Sequence, residues 1–91
     1  MSKLNTQDVV NEVSKRMGCY KKDTKELLQH FCDVIVESIE TDKTIYFKPL
    51  GIFYPATYHS RKNNKGRKLR FKPSKYIIER LKNLEPPKNS N

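Results

Sequence analysis

The first apolar positions of the chain recur with the period of an α-helix. They are Val9, Val10, Val13 and Met17, and this spacing predicts one apolar stripe. Asn5 and Asp8 precede the stripe at the spacing of a capping box, in which each side chain accepts a hydrogen bond from the other residue's backbone N–H. Gly18 suits the left-handed conformation that ends many helices. The pattern therefore predicts a first helix between Asn5 and Gly18.

A second and longer helical pattern covers residues 21–40, KKDTKELLQHFCDVIVESIE. Its apolar stripe consists of Thr24, Leu27, Leu28, Phe31, Ile35 and Ile39. Charged and amide side chains occupy the other positions, as in an amphipathic helix with one buried side. Because the connection between the two patterns is very short, we expect the two helices to pack as a helical hairpin.

The hydrophobic period then changes from helical to alternating. The segments TIYFK (44–48), IFYPATYHSR (52–61) and RKLRFK (67–72) predict three β-strands, and NNKG (63–66) has the composition of a hairpin tip. In the third strand, Arg67, Leu69 and Phe71 share one face, while Lys68, Arg70 and Lys72 share the other. The alternation therefore predicts a two-stranded arm at about residues 55–72.

A short third helix is predicted after Pro73, with Ser74 as N-cap and Ile77, Ile78 and Leu81 on its apolar side. The polar, proline-containing tail at residues 85–91 is predicted to be disordered. The element order is helix, helix, three strands, helix, which predicts an α+β fold. We expect one domain over residues 1–84.

Charge is distributed unevenly along these elements. The 91 residues carry a net charge of +9, yet residues 1–42 hold six basic and eight acidic side chains, while residues 43–78 hold ten basic and none acidic. Surface charge that serves solubility alone has mixed signs, so this segregation favours a functional basic surface. A chain of this length builds only a marginal core, which makes a partner subunit plausible.

The basic arm is costly without an anionic partner. A two-stranded hairpin is marginally stable by itself, and like charges across the strands weaken it further. Duplex DNA gains affinity from each phosphate that a cation neutralises, and a β-ribbon can enter a DNA groove. The sequence therefore predicts a DNA-binding arm. Structured RNA remains an alternative ligand, and a membrane surface is less suited because the segment is not an amphipathic helix.

Other functions find little support in the sequence. There is no apolar run long enough to span a membrane and no apolar leader, so we expect a cytoplasmic protein. Cys19 and Cys32 are about 18 Å apart along a helix, too far for a disulfide, and with His30 and His59 they lack the spacing of a zinc site. No paired carboxylates, activated nucleophile or phosphate-binding glycine loop is present. We expect no enzyme activity, cofactor, metal or small-molecule substrate.

The order helix, helix, strand, LGIF, basic arm, RFKPSK, short helix resembles the bacterial histone-like HU and integration host factor family over residues 3–84. The matching positions are Gly51 and Phe53 in the turn, Arg61, Lys62 and Gly66 in the arm, and Pro73, Ser74 and Lys75 where the arm returns. The resemblance implies an intertwined homodimer, or a heterodimer, whose two arms wrap the minor groove and bend DNA on the nucleoid of a bacterial or viral host. The dimer core it implies consists of Phe31, Ile35, Phe47 and Phe53.

Candidate DNA contacts follow from the basic arm and its surroundings. They are Arg61, Lys62, Asn63, Asn64, Lys65, Arg67, Lys68, Arg70, Lys72 and Lys75, with Lys3 on the body. Lys3 is read equally well as an ordinary solvent-facing charge. Asn63 and Asn64 stand where the family usually carries a proline wedge, so we expect gentle curvature of DNA without a sharp kink. Sequence-tolerant binding is the leading hypothesis, and a site-specific factor similar to integration host factor is the alternative.

Overall fold

The computed structural model describes residues 2–59 and 65–85. Its elements, numbered in chain order, are α1 (Thr6–Met17), α2 (Lys21–Glu40), β1 (Ile45–Phe47), β2 (Gly51–His59), β3 (Lys65–Pro73) and α3 (Lys75–Leu81). The predicted α+β class and element order are confirmed. The predicted contacts Arg61, Lys62, Asn63 and Asn64, and the tail after residue 85, lie outside the described residues.

The chain divides into two compact units, Met1–Val34 and Ile35–Asn91. In the first unit, the predicted ends of α1 are confirmed. Asn5 Oδ1 accepts from the Asp8 N–H at 2.9 Å, and Asp8 Oδ2 accepts from the Asn5 N–H at 3.0 Å. Gly18 ends the helix with φ 69°, and its N–H donates to the Ser14 carbonyl. The left-handed residue lets the chain leave α1 within one turn.

The buried stripe of α1 differs from the predicted one. Val10 and Ser14 are buried and Val13 is half-buried, whereas Val9 and Met17 are exposed. Val10 and Ser14 are four residues apart and so lie one above the other on a helix. Ser14 is tolerated in this position because its hydroxyl donates to the Asn11 carbonyl at 2.9 Å, which satisfies its polar group. The prediction for Val9 and Met17 was wrong because two adjacent valines leave the centre of the stripe ambiguous.

The stripe predicted for α2 is confirmed at most of its positions. Thr24, Ile35 and Ile39 are buried, and Leu28 and Phe31 are half-buried. Leu27, in contrast, is 53% exposed, which corrects its assignment to the buried side. Thr24 fits the buried side because its hydroxyl donates to the Tyr20 carbonyl at 3.1 Å. The same carbonyl accepts from the Thr24 N–H at 3.0 Å, which fixes the first turn of α2.

The second unit contains a three-stranded antiparallel sheet in the order β1-β2-β3. β1 pairs with the beginning of β2, and β2 pairs with β3 along its whole length, from Gly51 opposite Pro73 to His59 opposite Lys65. Near the root of the sheet, Phe53 lies opposite Phe71 with ring centroids 4.9 Å apart. Beyond β1, only β2 and β3 continue, so the sheet narrows into the predicted two-stranded arm.

The turn from β1 to β2 is joined to the start of α3. It contains a cis peptide between Lys48 and Pro49, and Gly51 has φ 156°. A Cβ at Gly51 would collide with the Lys72 carbonyl, so only glycine fits there. The Ser74 N–H donates to the Leu50 carbonyl at 3.0 Å. Ser74 is the N-cap of α3, as predicted, and accepts from the Ile77 N–H at 3.2 Å.

Helices of membrane-spanning length and apolarity are absent from residues 2–59 and 65–85.

Candidate nucleic-acid interface

The register of the sheet gives it two chemically different faces. One face, here called the apolar face, carries Ile45, Phe47, Phe53, Pro55, Leu69 and Phe71, with Thr57 and Arg67 towards the tip. The other, here called the basic face, carries Tyr46, Ile52, Tyr54, Ala56, Tyr58, Gly66, Lys68, Arg70 and Lys72. This separation follows from the alternation of side chains along a strand, and it confirms the pattern predicted for residues 67–72.

The cations of the basic face form a row along β3. Lys68, Arg70 and Lys72 are exposed, and the register places them opposite Ala56, Tyr54 and Ile52. Successive members of the row are two residues apart, which corresponds to about 7 Å along a strand. None of the residues in the described strand segments is acidic. Within residues 2–59 and 65–85, no ion pair includes these three side chains, so the row faces solvent as a strip of positive charge, which attracts polyanions.

Arg67 is placed differently from its neighbours in the sequence. Its position is on the apolar face, and its Nη1 lies 2.6 Å from Oδ1 of Asp42. Asp42 follows α2 with a positive φ of 63°, and its N–H donates to the Ile39 carbonyl at 3.0 Å. Asp is among the few residues that readily adopt this backbone conformation. The end of α2 therefore holds a carboxylate against the arm, and this carboxylate competes with any phosphate for Arg67.

Beside this ion pair, the apolar face borders a pocket. Val36 and Ile39 of α2 line it together with Leu69 of β3. Leu69 and Phe71 are each more than 40% exposed in the single chain. Apolar side chains at this density on one face are typical of a surface that another chain covers.

The other predicted contacts that the structure describes are not part of the row. Lys65 is the first residue of β3, and Lys75 is the first residue of α3. Lys3 belongs to the first compact unit, where it precedes α1. The structure thus brings Lys68, Arg70 and Lys72 together on one face, with Lys65 at the start of the same strand and Lys75 at the start of the helix that follows.

Sequence reasoning missed two features of this surface. It did not identify the partner of Arg67, because Asp42 is far from the arm in the sequence. It also assigned no role to Tyr54 and Tyr58, which share the basic face with the cations. The alternation of the second strand, read outward from Phe53, contained the signal that would have placed both tyrosines opposite the basic positions.

Comparison with known proteins identifies the family. Residues 4–82 match the family model described as "Bacterial DNA-binding protein". The chain belongs to this family. The resemblance to HU and integration host factor proteins is therefore confirmed. No curated protein sequence matches the chain.

Solved structures of HU proteins share this fold. HU from Thermotoga maritima has 23% sequence identity and a TM-score of 0.69, and covers 86% of this chain and 98% of its own. A point mutant of the same protein has 24% identity and a TM-score of 0.71, over 86% of this chain and 99% of that one. HU from Anabaena, in a cocrystal with DNA, has 18% identity and a TM-score of 0.72, over 89% and 100% of the two chains.

The contact between Asp42 and Arg67 leads to a prediction for stability. Asp42→Asn keeps the turn, since Asn also tolerates positive φ, but removes the charge that pairs with Arg67. Both side chains are partly exposed, so we expect the free energy of unfolding to fall by up to about 1 kcal/mol at low salt. The difference should shrink near 1 M salt, where charges are screened within about 3 Å. Urea unfolding followed by circular dichroism measures both values.

The matched control is Glu79→Gln on α3, which changes the net charge equally. An equal loss of stability in both variants, or a loss in Asp42→Asn that salt does not reduce, would contradict a specific ion pair.

Proposed function

We propose that this protein binds double-stranded DNA with little sequence preference, as a dimer whose basic arms lie in the minor groove and curve the duplex gently. The observation that carries the proposal is the row of Lys68, Arg70 and Lys72 on a face with no described acidic residue. Family membership supports a DNA ligand, and the cocrystal of the Anabaena protein contains DNA. The role is architectural, with no chemical step and no cofactor.

The energetics of the basic face favour a ligand with regularly spaced phosphates. Each phosphate that a cation neutralises releases counterions, so affinity falls steeply with salt. Phosphate contacts fix orientation but do not distinguish sequences. Arg70 suits a narrow groove better than a lysine, because guanidinium is more weakly hydrated than ammonium. A row of this kind therefore supports binding to unrelated duplexes with similar affinity.

The absence of a proline near the tip of the arm supports gentle curvature of the bound DNA. Architectural proteins that kink DNA sharply insert an apolar wedge between base pairs. The sequence from residue 56 to residue 72 contains no proline, and Asn63 and Asn64 stand near its tip. Binding along the basic face then bends DNA smoothly, without unstacking a base step.

The dimer is supported by how little apolar surface one chain buries. Among the described residues, the buried hydrophobic side chains are Val10, Ile35 and Ile39 alone. Phe47 on the apolar face remains 42% exposed, and Phe31 and Phe53 are half-buried. A second copy that covers the apolar face would bury Phe47 and Phe53 further, and Phe31 and Ile35 of α2 stay proposed members of the dimer core. A related chain with the same face would give a heterodimer.

The proposed DNA-binding activity belongs to one domain. It comprises residues 1–84, with the arm at about residues 55–72, and leaves the tail at residues 85–91 without a role. Such a protein acts on the nucleoid in the cytoplasm of a bacterial cell, or on viral DNA within it.

A test of DNA binding compares two arginines on opposite faces of β3. Arg70→Ala should weaken binding to several unrelated duplexes by a similar factor, because one phosphate contact is lost. The slope of log affinity against log salt should become shallower by about 0.9. Arg67→Ala removes the same charge from the apolar face, where Asp42 already compensates it, so its effect should be smaller. Fluorescence anisotropy over a range of salt concentrations measures both.

Losses that differ strongly between duplexes would favour a site-specific factor over the proposed one. Equal losses in Arg67→Ala and Arg70→Ala would mean that DNA contacts both faces of the arm.

A test of the dimer uses adjacent residues of β1. Phe47→Lys places a charge on the apolar face, where dimerisation would bury it at a cost of several kcal/mol. We expect the dimer to dissociate at least about a hundredfold more readily, as measured by analytical ultracentrifugation. Tyr46→Lys adds the same charge on the basic face, where Tyr46 is 74% exposed, and should leave the dimer intact.

Circular dichroism of both variants shows whether the helices persist. A wild-type protein that remains monomeric at high concentration would refute the proposed dimer.

A further inference from the structure

The ring of Tyr58 rests on the backbone of the opposite strand. Tyr58 and Gly66 are directly paired across β2 and β3 on the basic face. A Cβ added at Gly66 would lie 2.5 Å from Cε1, Cζ and Oη of Tyr58, so the ring occupies the space that a larger residue would fill. Tyr58 is nevertheless 43% exposed. One side of the ring is therefore supported by the glycine, and the rest is open to solvent.

Two further tyrosines lie on the same face. Tyr54 is four residues before Tyr58 on β2, about 13 Å along the strand, and the register places it directly opposite Arg70. Tyr46 lies on β1 opposite Ile52 and is largely exposed. The basic face thus combines aromatic rings with the row of cations, and the described strand segments add no carboxylate.

Binding to intact duplex does not explain the rings. Lysine and arginine are sufficient to neutralise phosphates, and the flat faces of paired bases are already stacked on one another. Unpaired bases, in contrast, leave their faces free. Proteins that bind single strands on a β-sheet combine a positively charged surface with exposed aromatic side chains, on which successive bases stack. The basic face has both components.

We propose that the basic face also binds single-stranded nucleic acid, with Tyr58 as the main stacking platform and Tyr54 as a second. Lys68 lies opposite Ala56, between the two tyrosines, and Arg70 lies opposite Tyr54; these two cations hold the phosphates of the strand. The inference rests on the proposed function in one respect: the same cations bind the phosphates of either ligand. It adds a ligand class, the unpaired base, that phosphate contacts alone do not select.

A packing role for the same ring makes a different prediction. An aromatic side chain that covers a glycine in the neighbouring strand also stabilises a hairpin. If Tyr58 served only this purpose, its removal would weaken every ligand of the arm equally. Stacking affects only ligands that have free bases, which allows the two roles to be separated.

The test compares two polymers with the same phosphates. Fluorescence anisotropy measures the affinity of the full chain for labelled oligothymidylate of about 20 nucleotides and for an abasic oligomer of equal length. We expect the wild type to prefer the thymidylate. Tyr58→Ala should lose about five- to hundredfold in affinity for the thymidylate and little for the abasic oligomer. Tyr58→Phe keeps a ring for stacking and should stay close to wild type.

Two more variants test the geometry of the platform. Gly66→Ala keeps the tyrosine but places a methyl group where the ring now rests, so it should reduce the preference for thymidylate in the same direction as Tyr58→Ala. The matched control is Tyr20→Ala, which removes a tyrosine that is 82% exposed in the other compact unit. It should leave both affinities unchanged.

The outcomes separate this inference from the proposed function. An unchanged ratio of thymidylate to abasic affinity in Tyr58→Ala overturns the inference, as does an equal loss for thymidylate, abasic oligomer and duplex. A Tyr58-dependent preference for oligouridylate over an abasic ribose oligomer supports it equally and identifies RNA as a source of the bases. Failure to bind duplex at low salt, with Tyr58-dependent binding of single strands intact, overturns only the proposed function.

Discussion

The pairing of β2 with β3 in one register determines both surfaces of the arm. Because side chains alternate along a strand, this register keeps Phe53 and Phe71 together and puts Lys68, Arg70 and Lys72 on the opposite side. A slip of one residue would move every side chain to the other face. The contact between the two phenylalanine rings and the glycine at position 51, which alone fits against Lys72, favour the observed register. The functional surface thus depends on packing at the root of the sheet.

The same arrangement makes the isolated chain incomplete in two ways. On the basic face, like charges about 7 Å apart repel one another until a polyanion neutralises them. On the apolar face, side chains remain half-exposed because a single chain of this size is too small to cover them. Arg67 illustrates the distinction, since on the apolar face its guanidinium is already paired with Asp42. The proposed dimer and the proposed DNA complex each satisfy one face.

Much of the fold could be predicted from local sequence because the relevant interactions are local. The capping box of Asn5 and Asp8, the left-handed Gly18 and the N-cap Ser74 involve residues within a few positions of one another. The alternation of residues 67–72 likewise follows from strand geometry alone. The predicted minor-groove contacts at Arg61 and Lys62 stay predictions.

Features that depend on distant residues could not be predicted. The exposure of Leu27 and Met17 reflects which elements pack nearby, which periodicity does not specify. The pairing of Arg67 with Asp42 joins the end of α2 to β3 across the sequence. The contact of Tyr58 with Gly66 requires the exact register of the hairpin, and the length of the tip leaves that register open. Interactions of this kind are visible only once the strands are paired.

The most direct test of the central claim is lysine footprinting, in which acetylation of the free protein and of its complex with duplex DNA is compared by mass spectrometry. If the basic face carries the ligand, Lys68 and Lys72 become protected in the complex, while Lys15 of α1 and Lys25 of α2 remain as reactive as in the free protein. Protection of Lys15 and Lys25, with Lys68 and Lys72 still fully reactive, would contradict the account.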